Sequence, residues 1–189
     1  MTDPSQSDHD PPGVEHIRSG NRKAFEELFR SHYEALCRFA LNYVEHLRVA
    51  EDLVQDVFVD LWKDRRSLEV EHSLKAYLYG MTRHRALKHL RQKQVRKKWA
   101  ASDDLRKAAP PAIPDQAEDV LKRREQQKEV DRALEALPQR RRQIFLLSRR
   151  HSLTYAEIAV ALDISIKTVE TQMSRALQFL RDRLEVFLS

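Results

Sequence analysis

Three glycines, Gly13, Gly20 and Gly80, in 189 residues leave this chain few places to turn sharply. Tight hairpins draw heavily on glycine, so the scarcity disfavours a β-rich fold and points to long helices joined by few turns. The apolar pattern agrees. Phe25, Leu28, Phe29, His32, Leu36, Phe39, Ala40 and Tyr43 recur at three- and four-residue steps, which is the stripe of one helix. A second helix is predicted from about Val49 to Lys63, burying Leu53, Val54, Val57, Phe58 and Leu61. Ser73 is placed to cap a third, which buries Leu74, Leu78, Met81 and Leu90 and continues toward Arg96. Helices this short hide their stripes only against one another, so residues 15–98 should form a compact bundle.

The flanking segments differ. Residues 1–14 are polar, acidic and proline-containing, which predicts a disordered N-terminus. Residues 99–119 hold Pro110, Pro111 and Pro114 among alanines and acids without an apolar period, and are expected to be a flexible linker. Fully extended, that stretch would span roughly 70 Å at ~3.3 Å per residue. Helical signals resume in residues 120–189, where Val130, Leu134 and Leu137 lead into Pro138 and a further helix carrying Ile144 and Leu147. The expected architecture is all-α: two small helical domains joined by a flexible linker.

Composition bounds the function. A formal charge of +5 and a pI near 9.4 fit an anionic partner, although charge alone is weak support. Cys37, the single cysteine, excludes an intrachain disulfide and fits a reducing cytoplasm; its place on an apolar helical face makes it a small core residue. The longest aliphatic or aromatic run, Ile144 to Leu147, is far too short to cross a bilayer, and no signal peptide is visible, so a cytoplasmic protein is expected. There is no phosphate-cradling glycine loop, zinc signature or nucleophile with an evident base, so neither an enzyme nor a bound cofactor is expected.

Residues 51–98 hold two adjacent stretches of opposite charge. Asp52, Asp56 and Asp60 are spaced by four and form a slowly winding row on one helix face, with Gln55 and Trp62 extending it. From His72 to Ser102 there is no Asp or Glu. That stretch carries Arg83, Arg85, Lys88, Arg91 and Lys93, suited to phosphate, with Tyr77 and Tyr79 able to stack on unpaired bases. Each face alone has a plainer reading as a solvated helix surface. Either tyrosine could also be partly core, Tyr77 lying closer to the apolar stripe.

Near the C-terminus, Leu153 to Leu177 has the mechanics of a helix-turn-helix. Thr154 and Glu157 can form a capping box, and Ala159 is small where a second helix must cross. Asp163 sits at the tight turn, where it tolerates a left-handed backbone, and Ser165 caps the second helix. Lys167, Thr168, Glu170, Thr171, Ser174 and Arg175 then fall near the exposed end that meets base edges and phosphates. A helical hairpin packing on another protein is the alternative.

Taken together, these segments resemble the sigma factors of the sigma-70 family, and specifically the small extracytoplasmic-function group. Asp52-Leu-Val-Gln-Asp-Val-Phe resembles the region 2 segment that docks on RNA polymerase. The resemblance implies contacts from Asp52, Gln55, Asp56, Phe58 and Trp62 to the β′ clamp helices. The segment from Tyr77 to Arg91 resembles the one that melts and reads the −10 element, which implies DNA contacts from Tyr77, Tyr79, Arg83, His84, Lys88 and Arg91. Leu153 to Leu177 resembles the region 4 head that reads the −35 element near the β flap. Residues Lys167 to Leu177 are similar to a branch common in Bacteroidetes-like bacteria. The family often has Asn at the position of His84, and Asn or an acid at that of Lys88. The implied partners are core RNA polymerase, promoter DNA and an anti-sigma factor, with no membrane insertion. A LuxR-type regulator shares the Glu157-Ile-Ala and Lys167-Thr-Val-Glu signals but has no need of the stretch from Asp52 to Arg91.

Overall fold

A computed structural model describes residues 13–70, 73–99 and 128–188. Its elements are α1 (Val14–Arg18), α2 (Arg22–Ala40), α3 (Leu47–Lys63), a 3-10 turn (Arg65–Ser67), α4 (Leu74–Trp99), α5 (helical over 128–135), α6 (Gln139–Arg149), α7 (Tyr155–Leu162) and α8 (Ile166–Leu188). No strand occurs among the described residues, so the all-α expectation holds. The expected disordered N-terminus and linker fall almost entirely outside those residues.

Contacts divide the chain into two compact units, Met1–Asp103 with Leu153–Ile164, and Asp104–Ser152 with Ser165–Ser189. In the first, α2, α3 and α4 pack on one another, and α7 lies along α4. This grouping differs from the sequence boundary at residue 120, which put α7 with the C-terminal helices. The reason is burial: Ile158, Ala159, Ala161 and Leu162 are all buried, and a helix this short has little surface left to expose.

Local chemistry accounts for the element ends. The Asn21 side chain accepts a hydrogen bond from the Ala24 amide at 3.1 Å and starts α2. Ser73 Oγ accepts from the Ala76 amide at 3.1 Å and starts α4, as its position in the sequence predicts. α1 has no counterpart in the periodicity, because five residues are too few to show one. Its Val14 and Ile17 are nonetheless fully sealed, entered through Gly13 in the left-handed region at φ 94°.

The core of the first unit joins Leu36, Phe39, Val54, Val57, Phe58, Leu61, Leu78 and Tyr79, with Cys37 buried beside them. Phe58 meets Phe29 and Phe25 edge-on, with ring centroids 4.8 and 6.0 Å apart. The second unit closes over Ala133, Leu137, Ala176 and Leu180, with Leu134, Phe145, Phe179 and Leu184 packed around them.

Candidate functional site

On α3, residues four apart stay on one face while residues two apart point nearly opposite ways, since each residue advances about 100°. Asp52, Gln55 and Asp56 are exposed, and Asp60 is half-buried beside them. Phe58 stands two residues from Asp56 and is therefore turned inward, at 2% exposure. Its expected place in a docking face is corrected: it supports α3 from behind. Trp62 is half-buried, its ring 4.8 Å from that of Phe25 and covered by the Arg65 guanidinium at 4.4 Å. The residue that sequence reasoning missed is Val59, which is 47% exposed in the middle of the acidic face. Its spacing of three from Asp56 and seven from Asp52 was the available signal.

α4 turns its aromatic residues differently from expectation. Tyr79, not Tyr77, is the core tyrosine, at 1% exposure, with its ring 5.0 Å from that of Phe39. Burial pushes its phenol well above the ordinary range. It has no free face for a base, and its expected stacking role is corrected. The physical reason is that α4 is covered on two sides, by α2 and α3 and by α7. The buried stripe is accordingly wide and runs through Leu78, Tyr79, Thr82 and Ala86. Thr82 fits there because its hydroxyl donates to the Leu78 carbonyl at 2.8 Å.

Opposite that stripe, Tyr77, Met81, His84 and Lys88 follow one another at spacings of four, three and four, and so share a face. Met81, expected in the core, is half-buried on this face instead. These side chains line a cavity of about 520 Å³ with Asp60, Arg85 and Val160 of α7. Burial raises the Tyr77 phenol above its usual range, and Asp64 and Asp60 add to the shift, so the hydroxyl stays neutral. Arg91 is exposed further along the same face, whereas Arg83 is half-buried and turned roughly 130° round the helix from that line. Among the described residues, Arg83, Lys88 and Arg91 make no ion pair with a carboxylate.

The acidic and basic faces are not separate. Arg85 reaches from α4 to α3, donating to Asp56 Oδ2 at 2.8 Å and also to Asp60 Oδ2. Its side chain is 27% exposed, that of Asp60 36% and that of Asp56 61%.

The helix-turn-helix signals are present as expected. Thr154 Oγ1 accepts from the Glu157 amide at 3.2 Å, and Glu157 Oε2 accepts from the Thr154 amide at 2.8 Å, completing the capping box. Glu157 also accepts from Ser73 Oγ at 2.5 Å. Burial alone would raise the Glu157 pKa, but the Ser73 and Thr154 hydrogen bonds and the charge of Lys75 outweigh it and hold the carboxyl below its usual value. Asp163 closes α7 in the left-handed region at φ 52°. Ser165 Oγ accepts from the Thr168 amide at 3.1 Å and opens α8. Lys167, Glu170, Ser174 and Arg175 are exposed, and Thr168 and Thr171 are half-exposed. Val169, Met173 and Ala176 occupy the buried side of the same helix. Lys167 pairs with Glu170 at 3.4 Å, which partly neutralises the tip.

Two family models match the chain: Sigma-70 region 2 over residues 28–96 and Sigma-70, region 4 over residues 127–180, together well over half its length. The chain belongs to the sigma-70 family, as an extracytoplasmic-function sigma factor. Among its relatives is the RNA polymerase sigma factor YlaC of Bacillus subtilis, 26% identical over 158 residues, covering 82% of this chain and 89% of the relative. The RNA polymerase sigma factor NccH of Alcaligenes xylosoxydans xylosoxydans is 28% identical over 179 residues, covering 93% of each. In fold, the chain is similar to the sigma factor RpoE of Bartonella quintana, solved in complex with the anti-sigma factor NepR. That match has a TM-score of 0.64 at 24% identity and covers 87% of this chain and 98% of the other.

Proposed function

We propose that the two faces of the first unit divide the work of promoter opening. Asp52, Gln55 and Asp56, with Val59 as an apolar centre and Trp62 at the edge, form the dock for the β′ clamp helices of core RNA polymerase. Tyr77, Arg83, His84, Lys88 and Arg91 capture the separated non-template strand of the −10 element, Tyr77 supplying the stacking ring. Lys167, Thr168, Glu170, Thr171, Ser174 and Arg175 of α8 read the −35 duplex close to the β flap. No step in this scheme is catalytic. The protein acts by holding polymerase and DNA in register in the cytoplasm.

The observation that carries this reading is the placement of the acidic face of α3 beside the Tyr77–Lys88 line of α4 within one unit. A regulator that only bound duplex DNA would need neither. The same reading makes an anti-sigma factor a partner, as RpoE has NepR. No helix among the described residues is long and apolar enough to cross a membrane. The α8 sequence supports placement in the Bacteroidetes-like branch.

The test is transcription by purified core polymerase with and without the protein on a promoter library. Initiation at a defined set of sequences, with a shared motif pair upstream, is expected. DNA binding without polymerase-dependent initiation would replace this reading with that of a conventional helix-turn-helix regulator.

A further inference from the structure

The Arg85 guanidinium occupies a position that a docking partner would also claim. It bridges Asp56 and Asp60, one turn apart on α3, while Lys88 of the same helix lines the groove with Asp60 without pairing to it. The two acids are not equivalent. Asp60 lies deeper and lines the groove beneath Tyr77, His84 and Lys88, where an uncompensated carboxylate would repel a phosphate chain. Asp56 is the more exposed and stands in the centre of the acidic face, between Asp52 and Val59 in register. Asp52 makes no ion pair among the described residues, whereas Asp56, like the deeper Asp60, is already engaged from within by Arg85.

We propose that Arg85 is a displaceable internal counter-ion that couples the two faces. Resting on the docking role assigned above, a cationic side chain of polymerase takes Asp56. Arg85 keeps its ion pair with Asp60 and turns its freed N–H edge into the groove, toward the phosphates of the captured strand. Docking thus completes the strand-binding groove, and strand binding in turn strengthens docking, because a coupling between two sites is reciprocal. An ion pair that merely braced α3 against α4 would act differently: its loss would weaken both surfaces together.

That contrast defines the test. Arg85→Gln and Arg85→Lys are compared with the unaltered full chain for affinity to core polymerase. The resulting holoenzymes are then compared for binding to a −10 non-template single strand across a range of salt. Arg85→Gln is expected to bind core about two- to fivefold more tightly, since no internal pair must be broken. Its holoenzyme should hold the strand several-fold more weakly, with a shallower salt dependence, because a cation has left the groove. Arg85→Lys keeps the charge and should retain most of the salt dependence. Thermal melting of each variant monitors folding. Opposite signs for the two affinities support the coupling. Parallel loss of both, or strand binding by Arg85→Gln with unchanged strength and salt slope, would overturn it. If the unaltered chain itself fails to bind core polymerase, the docking role fails instead, and that outcome is read independently of the variants.

Discussion

The two candidate DNA-contacting helices are built in contrasting ways. α4 is packed on two sides, and its functional line borders a groove whose Asp60 and Arg85 also pair helix to helix within the bundle. α8 keeps its reading residues on the side away from Val169, Met173 and Ala176, and they pair chiefly within their own first turns, Lys167 with Glu170 and Thr171 with the Lys167 carbonyl. The difference suits the proposed tasks. A surface that holds a strand pulled from the duplex must stay rigid against the cost of unstacking, a few kcal/mol per base. A head that reads intact duplex needs only a stable scaffold behind adaptable polar side chains. Substitutions in α4 should therefore mix stability with function, and those at the tip of α8 should separate them.

The largest effect that would break this contrast lies at the paired tyrosines of α4. Tyr79→Ala removes a core ring and should cost about 3–5 kcal/mol of folding stability in a denaturant titration. Tyr77→Ala should leave most of that stability intact and instead lose about 1–3 kcal/mol of binding to a −10 single strand by the holoenzyme. Equal unfolding by both would mean that the face assignment on α4 is wrong.

Next in size is Asp56→Arg, which turns the centre of the acidic face cationic and places it against Arg85. Co-purification with core polymerase should be lost, corresponding to at least about 2 kcal/mol. The melting curve should shift little, because Asp56 is exposed. Retained co-purification would remove α3 as the dock. Smaller again, Arg175→Ala should weaken −35-dependent initiation by about 1–3 kcal/mol without changing thermal melting. Unchanged transcription across −35 variants would move the reading residues elsewhere on α8.

The smallest effect expected is at Glu157. Its pKa is held below the ordinary value in the folded chain, so its contribution to stability is complete above the unfolded carboxyl pKa. That contribution disappears as pH falls through the folded value. Glu157→Gln should therefore lower the melting temperature modestly near pH 7 and leave it nearly unchanged at the acid end, when both proteins are scanned over the same pH series.

Much of this organisation was legible from spacing. The helices α2 and α3, the Ser73 and Ser165 caps, the Thr154–Glu157 box and the left-handed Asp163 follow from local rules that a linear chain displays. The orientation of α4 was not legible. Leu74, Leu78, Met81 and Leu90 define a plausible stripe, but a helix gripped from two sides buries a broader arc. Its centre falls on Tyr79, Thr82 and Ala86, none of which stands out in an apolar pattern. Phe58 and Val59 show the converse problem. A motif marks a stretch of chain without saying which of its residues face outward; the helical turn puts Phe58 inside and Val59 outside. The Arg85 bridge was also hidden, because its two ends are separated by more than twenty residues and each end had an adequate explanation alone.

The most direct measurement places a photo-crosslinking residue at Val59, His84 or Ser174 in turn, in holoenzyme bound to a promoter that the protein initiates from. The account predicts crosslinks from position 59 to the polymerase β′ subunit, from 84 to the non-template strand of the −10 element, and from 174 to the −35 duplex. Crosslinks from position 84 to polymerase alone, or from 59 to DNA, would contradict the division of labour between the two faces.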